Sequence, residues 1–164
     1  MQEFAQWLAD GVFSQWLQRA LWPIILLQTL HILAIAMVLS SVAMVELRVL
    51  GLASSAQSMT RTAQRFLPWL WAGLGLLAAS GIVLVIAEPK RTLDNNPAFQ
   101  LKMLMLAIAI AMTVAFQISL RRNAGLWETK APGRKTLGVL AVLTLTLWLA
   151  IAVAGRWIAY VREG

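Results

Sequence analysis

The sequence predicts an all-α fold, a transmembrane four-helix bundle preceded by an N-terminal amphipathic interfacial helix. Three observations predict it. Four apolar runs, near 21–45, 66–87, 97–120 and 136–160, each exceed the roughly 20 residues an α-helix needs to cross a bilayer. The chain is 60% hydrophobic with a mean hydropathy of +0.72, and its runs are apolar all round, unlike the one-faced helices of a soluble core. The 164 residues leave room for one domain, and once four spans are subtracted nothing remains for a water-soluble one.

Residues 1–20 form the first unit. Phe4, Trp7, Leu8, Phe13, Trp16 and Leu17 fall largely on one side at helical spacing, with Gln2, Glu3, Gln6, Asp10 and Gln15 as the polar remainder. Such a helix is expected to lie in the headgroup plane, the alternative being a plain N-terminal extension of the first span. Residues 21–164 form the transmembrane domain. Pro23 suits the first turn of span one and separates it from the interfacial helix. The connection 46–65 carries Ser54, Ser55, Ser58, Thr60 and Thr62, and reads as polar and partly helical. Span two is rich in small residues (Gly73, Gly75, Ala78, Ala79, Ser80, Gly81) that permit close helix approach. In the connection 88–96, Asn96 caps a third helix that opens on Pro97. The connection 121–135 is the most basic and contains the turn pair Pro132-Gly133. Trp22, Trp69, Trp71 and Trp157 stand near span ends, where amphipathic rings anchor, whereas Trp148 is mid-span and its indole N–H needs a partner or a polar pocket unless the ring serves as packing.

The formal charge is +7, from 14 Lys and Arg against 7 Asp and Glu. The basic residues sit in short loops beside spans, so lipid headgroups and topology account for them, and no aromatic-interleaved patch points to nucleic acid. The absence of Cys excludes disulfides and thiolate metal sites. The N-terminus, opening with Glu3 and Asp10, lacks the positive n-region of a secretory signal, and the chain is expected to be retained whole. With four spans, Arg19, Lys90, Arg91, Lys102, Arg156 and Arg162 share one face, six against the eight of the first and third connections. Five of those eight (Arg121, Arg122, Lys130, Arg134 and Lys135) lie in one short loop. The expectation is a multi-pass protein of the bacterial inner membrane with both termini periplasmic.

Polar residues inside the spans are the functional candidates, because they are costly in lipid and face the bundle interior. His31, the only histidine, lies roughly 15 Å below the outer end of span one at 1.5 Å per residue. It reads either as an axial haem ligand or proton-relay group, or as an interhelical hydrogen-bond donor. In span three Lys102, Ala109, Thr113 and Gln117 stack on one face. Lys102 either binds an anionic group or snorkels to the headgroups. Lys102, Arg156 and Glu88 form an expected outer charged cluster above His31, functional or purely structural. On the inner side Glu46 and Arg48 are expected to pair with Arg121 or Arg122 as a clamp between helices one and three. Gly73-Leu74-Gly75 is no dinucleotide fingerprint, since no strand precedes it. The spacing of nucleophiles, phosphate loops or paired carboxylates is absent too, which speaks against a hydrolase or ATPase. The membrane Met residues form no copper-type cluster and read as packing.

Several segments carry a family resemblance. His31-Ile32-Leu33 and Glu46-Leu47-Arg48-Val49-Leu50-Gly51 in helix one resemble a bacterial family of four-helix integral membrane proteins, a domain of unknown function. Asn96-Pro97-Ala98-Phe99-Gln100-Leu101-Lys102 and Gly155-Arg156-Trp157-Ile158 carry the same resemblance. That family is distantly similar to the copper-resistance-D and cytochrome-b561 type bundles. The resemblance implies His31 inward and, by analogy with b-type bundles, haem b, with haem iron on His31 as the only metal contact. Lys102, Arg156 and Thr113 would be the other cofactor-binding residues. Where relatives carry a second histidine, this chain has Gln117. The functions to weigh are a haem-binding electron-transfer subunit, a non-catalytic accessory or scaffold subunit, and a small transporter using the Lys102–Gln117 stripe. Enzymatic activity of the chain on its own is not expected. The expected partners are membrane lipid and other membrane subunits or further copies of the chain.

The Lys and Arg split generates a topology test. In intact cells Ser58→Cys and Ala131→Cys should both resist an impermeant thiol reagent. Ready labelling at both sites would reverse the orientation, and labelling at one alone would make the span count wrong.

Overall fold

The computed structural model describes residues 2–53, 58–89, 97–127 and 134–157. The expected Asn96 cap, Lys90, Arg91 and the Pro132-Gly133 turn lie outside them. Six α-helices follow in order: α1 (Gln2–Ala9), α2 (Val12–Arg19), α3 (Leu21–Leu50), α4 (Met59–Ala87), α5 (Pro97–Arg122) and α6 (Arg134–Trp157). A 3₁₀ turn, Ala124–Trp127, follows α5. No strand occurs among the described residues.

Helices α3 to α6 are the four spans, each long and apolar enough to cross a membrane. Between 17 and 28% of each hydropathy window is buried inside the molecule, so most of the apolar surface faces outward, as it must for lipid contact. The chain is a multi-pass integral membrane protein. Trp22 and Trp69 are exposed, as interface anchors require.

The N-terminal segment is two helices rather than the single one expected. The break falls at Asp10-Gly11, where Gly11 is extended (φ −65°, ψ 138°). Its aromatic and aliphatic residues do not share a face. Leu17 and Ser14 are buried against the bundle, Val12 and Trp16 are exposed, and Trp7 and Phe13, also exposed, border a groove with Ile86 of α4. Gln18 fixes α2 in place: its Nε2 donates to Ser14 Oγ and to Ala87 O, both at 3.1 Å. The second bond satisfies one of the carbonyls that a helix end leaves open, here at the end of α4.

Two span boundaries differ from the hydropathy reading. Helix α3 runs to Leu50, past the charged pair Glu46 and Arg48, because Glu46 is half-buried and Arg48 is 3% exposed. Gly51 stops it: φ is 75°, and Leu52 N–H donates back to Leu47 O at 2.9 Å, a left-handed termination that glycine adopts without strain. Helix α4 starts at Met59, where the Ser58 hydroxyl caps it by accepting from Arg61 N–H at 3.3 Å.

Helix α3 is the hub. It packs most extensively on α4, and next on α6, while α5 packs chiefly on α6. Direct contact between α4 and α5 is slight. The four spans are therefore an open ring in the order α4, α3, α6, α5. The α3–α4 seam is closest at Gly73, where a Cβ would stand 2.8 Å from Val38 Cγ2, 3.1 Å from Met37 Cε and 3.4 Å from Ala34 O. Gly75, two residues on, has nothing within 4 Å of that position.

That contrast generates a paired test. Gly73→Val should force α3 and α4 apart and cost about 1–3 kcal/mol, the usual range for overpacking. Gly75→Val should leave stability unchanged. Thermal loss of helicity in detergent measures both, and equal effects would mean the seam lies elsewhere.

Candidate functional site

Two polar sites lie inside the bundle, separated along α3 by the 15 residues between His31 and Glu46, or roughly 22 Å of helix. The first is near the N-terminal end. His31 is half-buried and its Nδ1 lies 2.8 Å from Ser80 Oγ on α4. The Ser80 hydroxyl donates its single proton to Leu76 O at 2.7 Å. Ser80 Oγ is then the acceptor, and His31 carries its proton on Nδ1. Nε2 has no hydrogen-bond partner among the described residues. Gly81 lies beside the ring, where a Cβ would stand 3.5 Å from His31 Cε1, an ordinary contact distance.

Lys102 stands nearby on α5, half-buried, with its ammonium within electrostatic range of the His31 ring. A Cβ on Gly155 of α6 would lie 3.2 Å from Lys102 Nζ, so the lysine rests on the α6 backbone one residue before Arg156. The Arg156 side chain is outside the described residues. Glu88 is exposed just beyond α4 and has a partner of its own. Gln28, three residues before His31 on α3, is exposed.

The second site is a cavity of about 290 Å³ in the opposite half of the bundle. All four spans line it: Val42, Val45 and Glu46 from α3, Leu67 and Leu70 from α4, Met112, Thr113, Phe116 and Ser119 from α5, and Leu140, Ala141, Thr144 and Trp148 from α6. This space lies between α4 and α5 where they fail to touch. Trp127, from the 3₁₀ turn after α5, lines it as well. The Trp127 indole Nε1 donates to Ser119 Oγ at 3.1 Å, and its ring meets Phe116 edge-on with centroids 4.6 Å apart.

The walls are mostly apolar, and their hydroxyls are already engaged. Thr113 Oγ1 donates to Ala109 O and Thr144 Oγ1 to Leu140 O, both at 2.9 Å. Two groups are not engaged. Trp148 is 3% exposed, and its buried Nε1 has no hydrogen-bond partner among the described residues. The Glu46 carboxyl likewise accepts from no described group, and no ion pair joins it to Arg121 or Arg122, both of which are exposed. The expected clamp between helices one and three is absent there.

The expected site residues thus divide. His31 and Lys102 are neighbours at one end. Thr113 belongs to the cavity, 11 residues and roughly 16 Å along α5 from Lys102. Gln117 is half-buried at the edge of the inward face, which Ala109, Thr113 and Leu120 define. Neither of the two cavities described, the central one and an open groove between Trp7, Phe13 and Ile86 of about 340 Å³, is lined by His31. No group of three His, Cys, Asp or Glu side chains able to hold a metal occurs among the described residues. Sequence reasoning missed Ser80 as the partner of His31, and Trp127 and Glu46 as cavity-lining residues. Thr113 had signalled itself as part of the inward stripe of span three, and Trp148 as a mid-span indole that needs a partner or a pocket unless it serves as packing.

A family described as one of unknown function (DUF6644) matches residues 9–161, and the chain belongs to it. No curated protein and no solved structure matches the chain significantly.

Proposed function

We propose that this member of the family binds a small, mainly apolar molecule dissolved in the membrane, and that the central cavity is where it is held. The setting we propose is the bacterial inner membrane, with both termini periplasmic and α1 and α2 lying along the headgroups. One observation carries the reading: a cavity of about 290 Å³ surrounded by four apolar helices has mostly apolar walls with the carboxyl-bearing Glu46 among them. Ligand pockets have this composition, apolar walls with a few placed polar groups. An apolar cavity of about 150 Å³ accepts benzene, so this one has room for a bicyclic ring. Lipid-soluble molecules have a route in through the loosely packed flank between α4 and α5. A scaffold subunit that needs only its outer helix faces gives no reason for a hollow centre.

The second reading is electron transfer through haem b on His31, with Lys102 and Arg156 toward the propionates. What supports it is the Nδ1–H bond to Ser80, which leaves Nε2 free, since a hydrogen bond at one ring nitrogen commonly orients a histidine that ligates through the other. It ranks second because no described cavity reaches the ring.

The cavity reading is tested with 2-methylnaphthalene and full-length protein in phospholipid nanodiscs. Equilibrium dialysis should show saturable uptake above that of empty nanodiscs, abolished by Ala141→Phe, which fills a wall position that is 2% exposed. Equal uptake by wild type and variant would mean partition into lipid alone, leaving the accessory-subunit reading. The haem reading requires a Soret band in protein purified from haem-replete cells, and its loss in His31→Ala. A colourless wild type ends it.

A further inference from the structure

We infer that the molecule held in the cavity is an amphiphilic organic cation, an ammonium group on an apolar, ring-sized body, with the ammonium at Glu46 and the body reaching deeper between the helices. The inference rests on the cavity reading above and adds the ligand's chemical class and orientation. Glu46 lines the cavity four residues before the end of α3, roughly 6 Å along the helix. A Cβ on Gly138, four residues into α6, would lie 3.7 Å from Leu50 Cδ2, so the end of α3 and the first turns of α6 are level. Trp148 lines the cavity ten residues beyond Gly138, roughly 15 Å further along α6 and so roughly 9 Å deeper than Glu46. The cavity therefore has an acidic end near one membrane face and an apolar end inside the bundle.

No described cation of the protein meets Glu46. Arg48, two residues on, falls on the other side of α3 and has a partner of its own. Arg61, Arg65, Arg121, Arg122 and Lys135, at the same end of the bundle, are all exposed. The hydroxyls of the wall do not answer the carboxyl either: Thr113 and Thr144 donate to their own helices, and Ser119 receives the Trp127 N–H. An ionised carboxyl among apolar walls is costly until an opposite charge joins it. Four ligand classes can be compared on those terms. A hydrocarbon fills the space and leaves the carboxyl unmet. A ketone or quinone oxygen presents a second acceptor to a carboxylate. A hydroxyl donates one hydrogen bond and no charge. An ammonium supplies both the charge and the donors, and the aromatic side chains of Phe116 and Trp127 suit a flat ring in the body attached to it.

The test uses the full chain in phosphatidylcholine nanodiscs at neutral pH, with uptake read above that of empty nanodiscs. Its probes share nearly one shape: 2-(aminomethyl)naphthalene, protonated under these conditions, 2-naphthalenemethanol and 2-methylnaphthalene. Wild type should bind the ammonium probe about tenfold more tightly than either of the others, or better, the scale of a hydrogen bond to a charged group. Glu46→Gln, which keeps the size and removes the charge, should erase that preference while 2-methylnaphthalene uptake persists, and persistence shows that the cavity still forms. Equal binding of the ammonium and alcohol probes by wild type overturns the cation assignment and leaves the cavity reading standing. Saturable uptake of no probe overturns both. A preference that survives Glu46→Gln puts the ammonium elsewhere and overturns its placement at Glu46. If the variant loses every probe, the comparison of the probes in wild type decides. Displacement of the ammonium probe when phosphatidylethanolamine replaces phosphatidylcholine gives the carboxyl to a lipid headgroup and overturns the free ligand.

Discussion

The lipid interior offers no hydrogen bonds, and this molecule is arranged around that constraint. Its spans contain several hydroxyl residues, and most take the same solution. Thr29, Ser40, Ser41, Ser80, Thr113 and Thr144 each donate to the carbonyl four residues back, on Ile25, Ala36, Met37, Leu76, Ala109 and Leu140. A hydroxyl so placed satisfies itself within its own helix, whether it faces lipid or protein. Ser80 goes further, because its oxygen also receives the His31 N–H and ties α4 to α3. Against that thrift, Glu46 and Trp148 stand out. They are long side chains that cannot turn back on their own backbone, and both line one cavity.

Helix α3 carries the consequences of this arrangement. It contributes His31 to one polar site and Glu46 to the other, and it touches both α4 and α6. Its contact with α4 is dry and tight, with Ala34 and Val38 seated where Gly73 has no side chain. Toward α5 there is no equivalent seam, and the space that results is the cavity. A close-packed half and a hollow half therefore share one helix. The rigid seam sets the position from which Glu46 enters the open region.

Much of the fold was legible in the sequence because a span is announced by composition, and composition is local. The four runs, Pro97 as a helix start and Pro23 in a first turn all read correctly for that reason. The errors have a common physical origin. Hydropathy ends a helix at its first charge, yet Glu46 and Arg48 continue α3 because the bundle supplies space for both. The N-terminal segment reads as one amphipathic helix because periodicity ignores the single extended residue at Gly11. The candidate sites were harder still. His31 was recognisable as a buried polar residue, but its partner Ser80 is 49 positions away, and nothing local distinguishes Ser80 from the small residues around it. The cavity is an absence of contact between α4 and α5, and an absence leaves no mark on either helix's own pattern.

The open ring has a bearing on how the chain is made. Helices α3 and α4 are neighbours both in sequence and in space, so they can pair as soon as both have left the ribosome and entered the bilayer. Helix α5 comes next, yet its main support is α6, the span that follows it. During translation α5 must wait among lipids as a solitary helix until its successor arrives. Helix α6 is then what recruits its predecessor to the finished hairpin, and chains truncated before α6 would hold a stable pair and a drifting third helix.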